Sequence, residues 1–299
     1  MIRPFPHFTP VDSTNASEFA QAIDGHLPYS SFNFVSLRCY WPDAQVARFG
    51  DGIALVLSDP VSGQSFLTVL NRESSCHEQR ELFAYSQAAN LDNHLRLVPE
   101  CSLPSLGHGI TVQERRDAFD YIVSIDSMLT PAAESVRLKH QLAEEFLANH
   151  PNTRVKEISL EGTPTRSELE DAALAWRSAR TSKDQTHEWE HSAFVRCIAH
   201  QSEFALVALA AFSSSGSVLG FTINAALNNG YYMAHFGKVR PSCRGLSELL
   251  ELETARLFRA RGCTDMNFQE DLANSGLRRM KESWQPRAFL KVFDVQPTH

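Results

Sequence analysis

Residues 231–245 decide the fold: Tyr231-Tyr-Met-Ala-His-Phe-Gly-Lys-Val239, then Arg240-Pro-Ser-Cys-Arg-Gly245. The first nine read as a strand and the next six as a basic turn, with Pro241 restricting φ and Gly245 free to take a positive one. Leu246–Arg261 follows as a long helix, with Leu249, Leu250, Leu252, Ala255, Leu257 and Phe258 apolar. Gly262 is placed to end it, and Cys263–Phe268 reads as a further strand. Upstream, Phe204–Phe212 and Val218–Ala226 are strands; Ser213-Ser-Ser-Gly216 joins them and Asn228-Asn-Gly230 joins the second to Tyr231–Val239, and both read as hairpin turns.

The same alternation extends in both directions. Gly276–Glu282 reads as a short helix and Arg287–Val295 as a last strand. Toward the N-terminus, Trp189–His200 is helical, and Thr165 with Glu168 forms a capping box before Leu169, Ala172, Ala173 and Trp176. Val155–Leu160 is a strand, and Ala132–Asn149 is a helix stopped by His150-Pro151. In the first half, Val46–Phe49, Ile53–Leu57 and Phe66–Leu70 are strands, Cys76–Ala89 is a helix, and Leu95–Val98 and Tyr121–Ile125 are further strands. Pro99–Gly109 reads as a loop, and Tyr29–Trp41 is apolar without a clear period.

Composition excludes several classes. The chain has 299 residues, 43% of them hydrophobic and 21% charged, so it can bury a core and is not a disordered chain. No apolar run reaches the 18 or so residues of a membrane span, so no integral membrane segment is expected. Met1-Ile-Arg-Pro-Phe-Pro6 lacks the basic and apolar regions of a secretory signal. The six cysteines stand far apart, without a C-x-x-C pair, and read as reduced thiols of a cytoplasmic protein. The net charge of −7 argues against a broad nucleic-acid face. It is unevenly spread, however: residues 238–299 carry 11 Lys+Arg against 8 Asp+Glu, a balance of +3.

Hairpin strands leading through Val239–Gly245 into a long helix resemble the core of the GNAT acyltransferase superfamily, in which such a loop and helix N-terminus hold an anionic donor. Asn267-Phe-Gln-Glu-Asp-Leu272 and Gly276-Leu-Arg-Arg-Met-Lys-Glu-Ser-Trp-Gln-Pro-Arg287 resemble a narrower signature. It is that of the tandem-GNAT family allied to the C-terminal domain of phosphatidylglycerol lysyltransferases. Asn267, Asp271, Leu272, Gly276, Leu277, Arg278, Arg279, Lys281, Ser283, Trp284 and Pro286 fit its pattern. His235 and Lys238 fit an upstream His-x-Glu-Lys element, and Arg244-Gly245 fits the Arg-Gly after it. The chain departs from the pattern at Gly237 and Gln269, where Glu is usual, and at Ala273, where Gly is usual. After Arg244-Gly245, Leu246-Ser247 replaces the usual second small residue.

The resemblance implies an α+β fold of two GNAT-like halves, 1–128 and 129–299, each a mixed sheet with helices packed on it. A single α+β domain is the alternative. It implies transfer of an aminoacyl group from aminoacyl-tRNA to a small amine, hydroxyl or lipid-headgroup acceptor, with acyl-CoA as the other donor. No permanently bound cofactor is expected; the partner would be a tRNA 3′ end or coenzyme A. His235, Lys238, Asp271 and Lys281 are the implied catalytic residues. Arg240, Arg244, Gly245, Arg278 and Arg279 are the implied donor-binding ones.

Such transfer needs donor and acceptor in line, a proton acceptor and stabilisation of an oxyanion. A backbone N–H of the Tyr231–Val239 strand is the candidate for the last. His235 is either a proton acceptor or a satisfied strand histidine. Asp271 either caps the short helix or pairs with an arginine, and Glu270 is a base or a loop carboxylate. Arg137, Lys139 and His140 either meet phosphate or form a surface helix face. One rival motif is present: His187-Glu-Trp-Glu-His191 satisfies the zinc-hydrolase pattern H-E-x-x-H. A catalytically silent binding protein is the remaining alternative.

Overall fold

A computed structural model describes residues 1–298 except 61, 74, 93, 107–108 and 180–184, and the backbone alone at 76, 163–165 and 185–186. The first part of the chain holds β1 (Thr9–Pro10), α1 (Ala16–Ala22), α2 (Phe34–Tyr40), β2 (Gln45–Phe49), β3 (Gly52–Ser58), β4 (Ser65–Leu70), α3 (Cys76–Ala88), β5 (Leu95–Pro99) and β6 (Ile110–Glu114). The aperiodic Tyr29–Trp41 segment resolves into a 3-10 turn and α2, which Asn33 caps by accepting from the Ser36 amide. α3 starts in a capping box of Ser75 and Glu78.

The chain continues with β7 (Asp120–Ser124), α4 (Ile125–Leu129), α5 (Glu134–Asn149), β8 (Arg154–Ile158), α6 (Thr163–Ser178) and α7 (Gln185–Ala199). Then come β9 (Leu206–Phe212), β10 (Val218–Ala226), β11 (Tyr231–Val239), α8 (Leu246–Ala260), β12 (Asp265–Asn267), α9 (Ser275–Glu282), β13 (Ala288–Leu290) and β14 (Val292–Pro297). α6 begins two residues before Thr165, with Pro164 in its first turn. The Thr165 side chain of the expected capping box lies outside the described residues.

Two seven-stranded mixed sheets result, ordered β1-β2-β3-β4-β5-β14-β6 and β13-β7-β12-β11-β10-β9-β8. They belong to two compact units. One comprises residues 1–120, 270–273 and 290–299; the other comprises 121–269 and 274–289. β7, ahead of the 128/129 division read from the sequence, is a strand of the second sheet. The single strand expected over Arg287–Val295 is two: β13 joins the second sheet and β14 the first. The break falls at Lys291, and the pairing partners reveal it.

In the second unit, β10 is covered on both faces. Phe221 meets the Phe194 ring of α7 at 5.4 Å, while its neighbour Thr222 bonds Thr254 of α8 at 3.0 Å. On the α8 side the core gathers Tyr121, Val136, Phe146, Tyr232, Leu246, Leu250, Phe258 and Trp284. Tyr232 and Phe258 stack with centroids 4.3 Å apart. Fully burying one such side chain contributes roughly 1.5–3 kcal/mol. The first unit has its own core of Phe49, Leu67, Val69, Leu82, Leu95, Val98 and Val295 among others. Among the described residues, no helix is long and apolar enough to cross a membrane.

Candidate active site

β11, α8 and β12 form a strand–helix–strand crossover whose strands pair in parallel. Their ladder contains three pairs, Tyr231 with Asp265, Tyr232 with Met266 and Met233 with Asn267. β11 runs on to Val239 against β10, but β12 turns away. The Phe268 amide donates to the Tyr121 carbonyl at 2.9 Å, and Gln269 takes a left-handed φ of 60°. The Asn267 side chain holds that kink by accepting from the Gln269 amide at 2.6 Å. Beyond Met233, therefore, no ladder pair with β12 continues along β11 among the described residues.

The parting begins at a β-bulge. Ile223 pairs with Phe236 and Asn224 with Ala234, so His235 is the extra residue on β11. Bulges bend a strand and re-aim a side chain. His235 is buried, its Nδ1 lies 3.2 Å from Nε2 of Gln269, and its Nε2 has no hydrogen-bond partner among the described residues. Burial pulls its pKa down to about 3, so it is neutral at pH 7.

Lys281 comes to the same kink from α9. It is buried, its Nζ donates to the Phe268 carbonyl at 2.6 Å, and it stands 5.8 Å from the Tyr121 ring centroid. The helix delivering it is capped by Asn274, whose side chain accepts from the Gly276 and Leu277 amides at 3.0 Å. Asn267 and Lys281 of the signature, together with Gln269, thus act on one turn of backbone.

The other expected residues fall elsewhere. Lys238 is buried in an ion pair with Glu190 of α7, its Nζ 3.7 Å from the Trp176 ring of α6. Arg240 ties off the hairpin: its amide and Nε donate to the carbonyls of Leu219 and Val218, each at 2.8 Å. Arg244 and Arg279 are exposed, and Arg278 is half-buried. Gly245, at φ 89°, is the N-cap of α8. A Cβ there would come within 2.1 Å of the Leu142 carbonyl oxygen, so close packing of α8 on α5 already demands a glycine. Asp271, in the first unit, accepts from the Ala273 amide at 2.9 Å and pairs with Arg116 at 3.3 Å; the capping alternative falls to Asn274. Glu270, in that unit too, lies 3.1 Å from the Ser30 hydroxyl, which also reaches Asp120 at 2.6 Å.

The basic residues of α5 are engaged within the protein. Lys139 pairs with Glu248 at 3.2 Å, His140 Nε2 meets the Met128 carbonyl at 2.7 Å, and Arg137 bonds the Ala132 carbonyl. Along the H-E-x-x-H stretch of α7, Glu188 pairs with Arg177 and His187 meets the Trp176 ring edge-on. Among the described residues, no three His, Cys, Asp or Glu side chains gather as a metal site. In the sequence Gln269 stands only as a departure from the family pattern, and nothing local signals the bulge at His235. A bulge carries no residue signature there, because it arises from the pairing register.

A parallel pair parting around a crossover helix, on a mixed sheet and in a chain with two such sheets, defines a tandem GNAT-like protein. The chain belongs to the family of the phosphatidylglycerol lysyltransferase C-terminal domain, which matches it over residues 39–295. A conserved protein of unknown function from Bacteroides thetaiotaomicron shares 18% identity over 99% of this chain and 100% of its own, with a TM-score of 0.83. L-PGS from Bacillus licheniformis shares 13% over 100% of this chain and 94% of its own, with a TM-score of 0.67. A tandem GNAT protein from the clavulanic acid biosynthesis pathway shares 13% over 98% of both chains, with a TM-score of 0.53. No curated protein matches the chain significantly.

Proposed function

We propose that the protein transfers an aminoacyl group from aminoacyl-tRNA to a small amine, hydroxyl or lipid-headgroup acceptor. The observation carrying this reading is the parting of β11 from β12 after Met233 and Asn267 in a chain of this family. An ester carbonyl seated along β11 past Met233 would meet backbone N–H groups beyond the end of the β12 ladder. Such fixed donors favour the oxygen that gains charge as the acceptor attacks. The acceptor nitrogen or oxygen bonds to the carbonyl carbon, and the ester bond to the ribose oxygen breaks. The proton lost by the acceptor ends on that ribose hydroxyl. Alignment and oxyanion stabilisation drive the step, with no nucleophilic side chain required. The +3 balance of residues 238–299, with Arg244 and Arg279 exposed in it, supports a phosphate-bearing donor. The lysyltransferase name of the family supports an aminoacyl donor and a headgroup acceptor.

The test is a transfer assay with labelled aminoacyl-tRNAs and, in parallel, labelled acetyl-CoA, each offered to phosphatidylglycerol vesicles and small amines. Label leaving the tRNA for either acceptor is the expected result. Transfer from acetyl-CoA alone would replace this reading with the acyl-CoA one, and transfer from neither would make the chain a binding protein.

A further inference from the structure

We infer that Gln269 holds His235 as a neutral imidazole protonated at Nε2, so that His235 offers a hydrogen bond to the carbonyl oxygen of an acyl ester. The inference rests on the transferase reading and gives two residues a role within it. Here His235 is a donor to the developing oxyanion, and Gln269 is a positioning residue that acts through it.

The argument is one of valence. A neutral imidazole carries one N–H, and an amide nitrogen can only donate. Gln269 Nε2 faces His235 Nδ1 at 3.2 Å, so Nδ1 accepts and the proton sits on Nε2. That leaves Nε2–H buried and, among the described residues, without an acceptor. Buried donors are almost always matched, and an unmatched one at a strained site calls for an explanation. The strain is present on both sides of the bond: His235 is the unpaired residue of a bulge, and Gln269 has a φ of 60°. The bond spans the two strands just past their last ladder pair, Met233 with Asn267. The acyl carbonyl oxygen proposed for that place is the acceptor Nε2–H lacks.

The residue type at 269 then sets the chemistry. A carboxylate there would draw the proton to Nδ1 and leave a lone pair on Nε2, making His235 a base. The amide makes it a donor. Burial of the imidazole, which holds its pKa near 3, keeps the neutral form in place across the physiological range.

The test begins with the free full-length protein carrying 15N-labelled histidine. His235 ring nitrogens, assigned by through-bond correlation to its own amide, are expected to be pyridine-like at Nδ1 and pyrrole-like at Nε2. The opposite pattern, or an imidazolium near neutral pH, overturns the inference without any variant having to fold. Gln269→Glu is expected to move the proton to Nδ1; an unchanged tautomer also overturns it. In the transfer assay, Gln269→Glu should lower kcat about 100-fold with little change in KM, the scale of losing one oxyanion donor. A wild-type rate in that variant removes His235 from the carbonyl while the transferase reading stands. The expected tautomer in a protein that transfers nothing ends the transferase reading and the carbonyl role, leaving the tautomer assignment alone.

Discussion

The Trp284 indole donates to the Glu251 carboxylate at 2.8 Å, linking the last turn of the family signature to the middle of α8. Burial raises the Glu251 pKa to about 7, against the pull of nearby Lys139. Folding therefore favours its protonated form. Stability falls as pH rises from about 4.5 to about 7, and the loss is constant above that. His235 has the opposite sign. Its folded pKa is near 3, against 6.5 when free, so its contribution is complete above 6.5 and falls as pH drops toward 3.

Between about pH 4.5 and 6.5 these two slopes oppose each other at roughly 1.4 kcal/mol per pH unit. Glu251→Gln, which keeps an acceptor for Trp284, should remove one of them. Partial exposure of Glu251 discounts the full shift, so a gain of about 1–3 kcal/mol is expected at pH 8, shrinking toward pH 5. Urea unfolding of wild type and variant across that range is the check; a pH-independent difference would refute the assignment.

Gly245→Ala should be strongly destabilising, by about 3 kcal/mol or more. It combines a φ of 89° with a Cβ placed 2.1 Å from the Leu142 carbonyl oxygen. An unchanged Tm would show that α5 and α8 do not pack as described.

Ala273→Gly should stabilise. Ala273 has a φ of 59°, a left-handed conformation that disfavours an L side chain by roughly 1–2 kcal/mol. The greater freedom of unfolded glycine offsets part of that. The net gain expected in chemical unfolding is about 0.5–1 kcal/mol, and a loss would contradict the backbone geometry.

Lys281→Met keeps most of the side-chain volume and removes the donor to the Phe268 carbonyl. Leaving that buried acceptor unmatched should cost about 1–3 kcal/mol in unfolding experiments. Stability equal to wild type would mean that Lys281 does not hold the kink.

Arg244→Ala and Arg279→Ala act at exposed side chains and should change stability by less than about 0.5 kcal/mol. If these cations meet donor phosphates, aminoacyl-tRNA binding weakens and its salt dependence becomes shallower, as expected when a phosphate contact is removed. Binding titrations at several salt concentrations measure both; unchanged slopes would place the donor elsewhere.

Much of this architecture is legible in the chain itself. The hairpins around Ser213–Gly216 and Asn228–Gly230, the helix 246–260 and the short helix 275–282 follow from local rules. Alternation, helical spacing, caps and glycines act over a few residues, so a window of sequence contains their causes. The family signature is local in the same way. The one strand expected over 287–295 looks continuous because alternation does not say which sheet a strand will join.

What tertiary structure alone decided lies at the candidate site. His235 becomes a bulge because β10 and β11 slip by one residue between Ile223 and Asn224, and a register depends on two strands at once. Lys238 and Lys281 are equally basic in the sequence. One is held by Glu190 and Trp176, the other by the Phe268 carbonyl, because a buried ammonium takes the partners that packing brings to it. Gly245, which the family resemblance puts in the donor loop, also lies against the Leu142 carbonyl, a contact only the packing of α8 on α5 creates. Local sequence rules set most of the strands and helices; long-range contacts determined which sheet a strand joins and which side chains stay buried or paired.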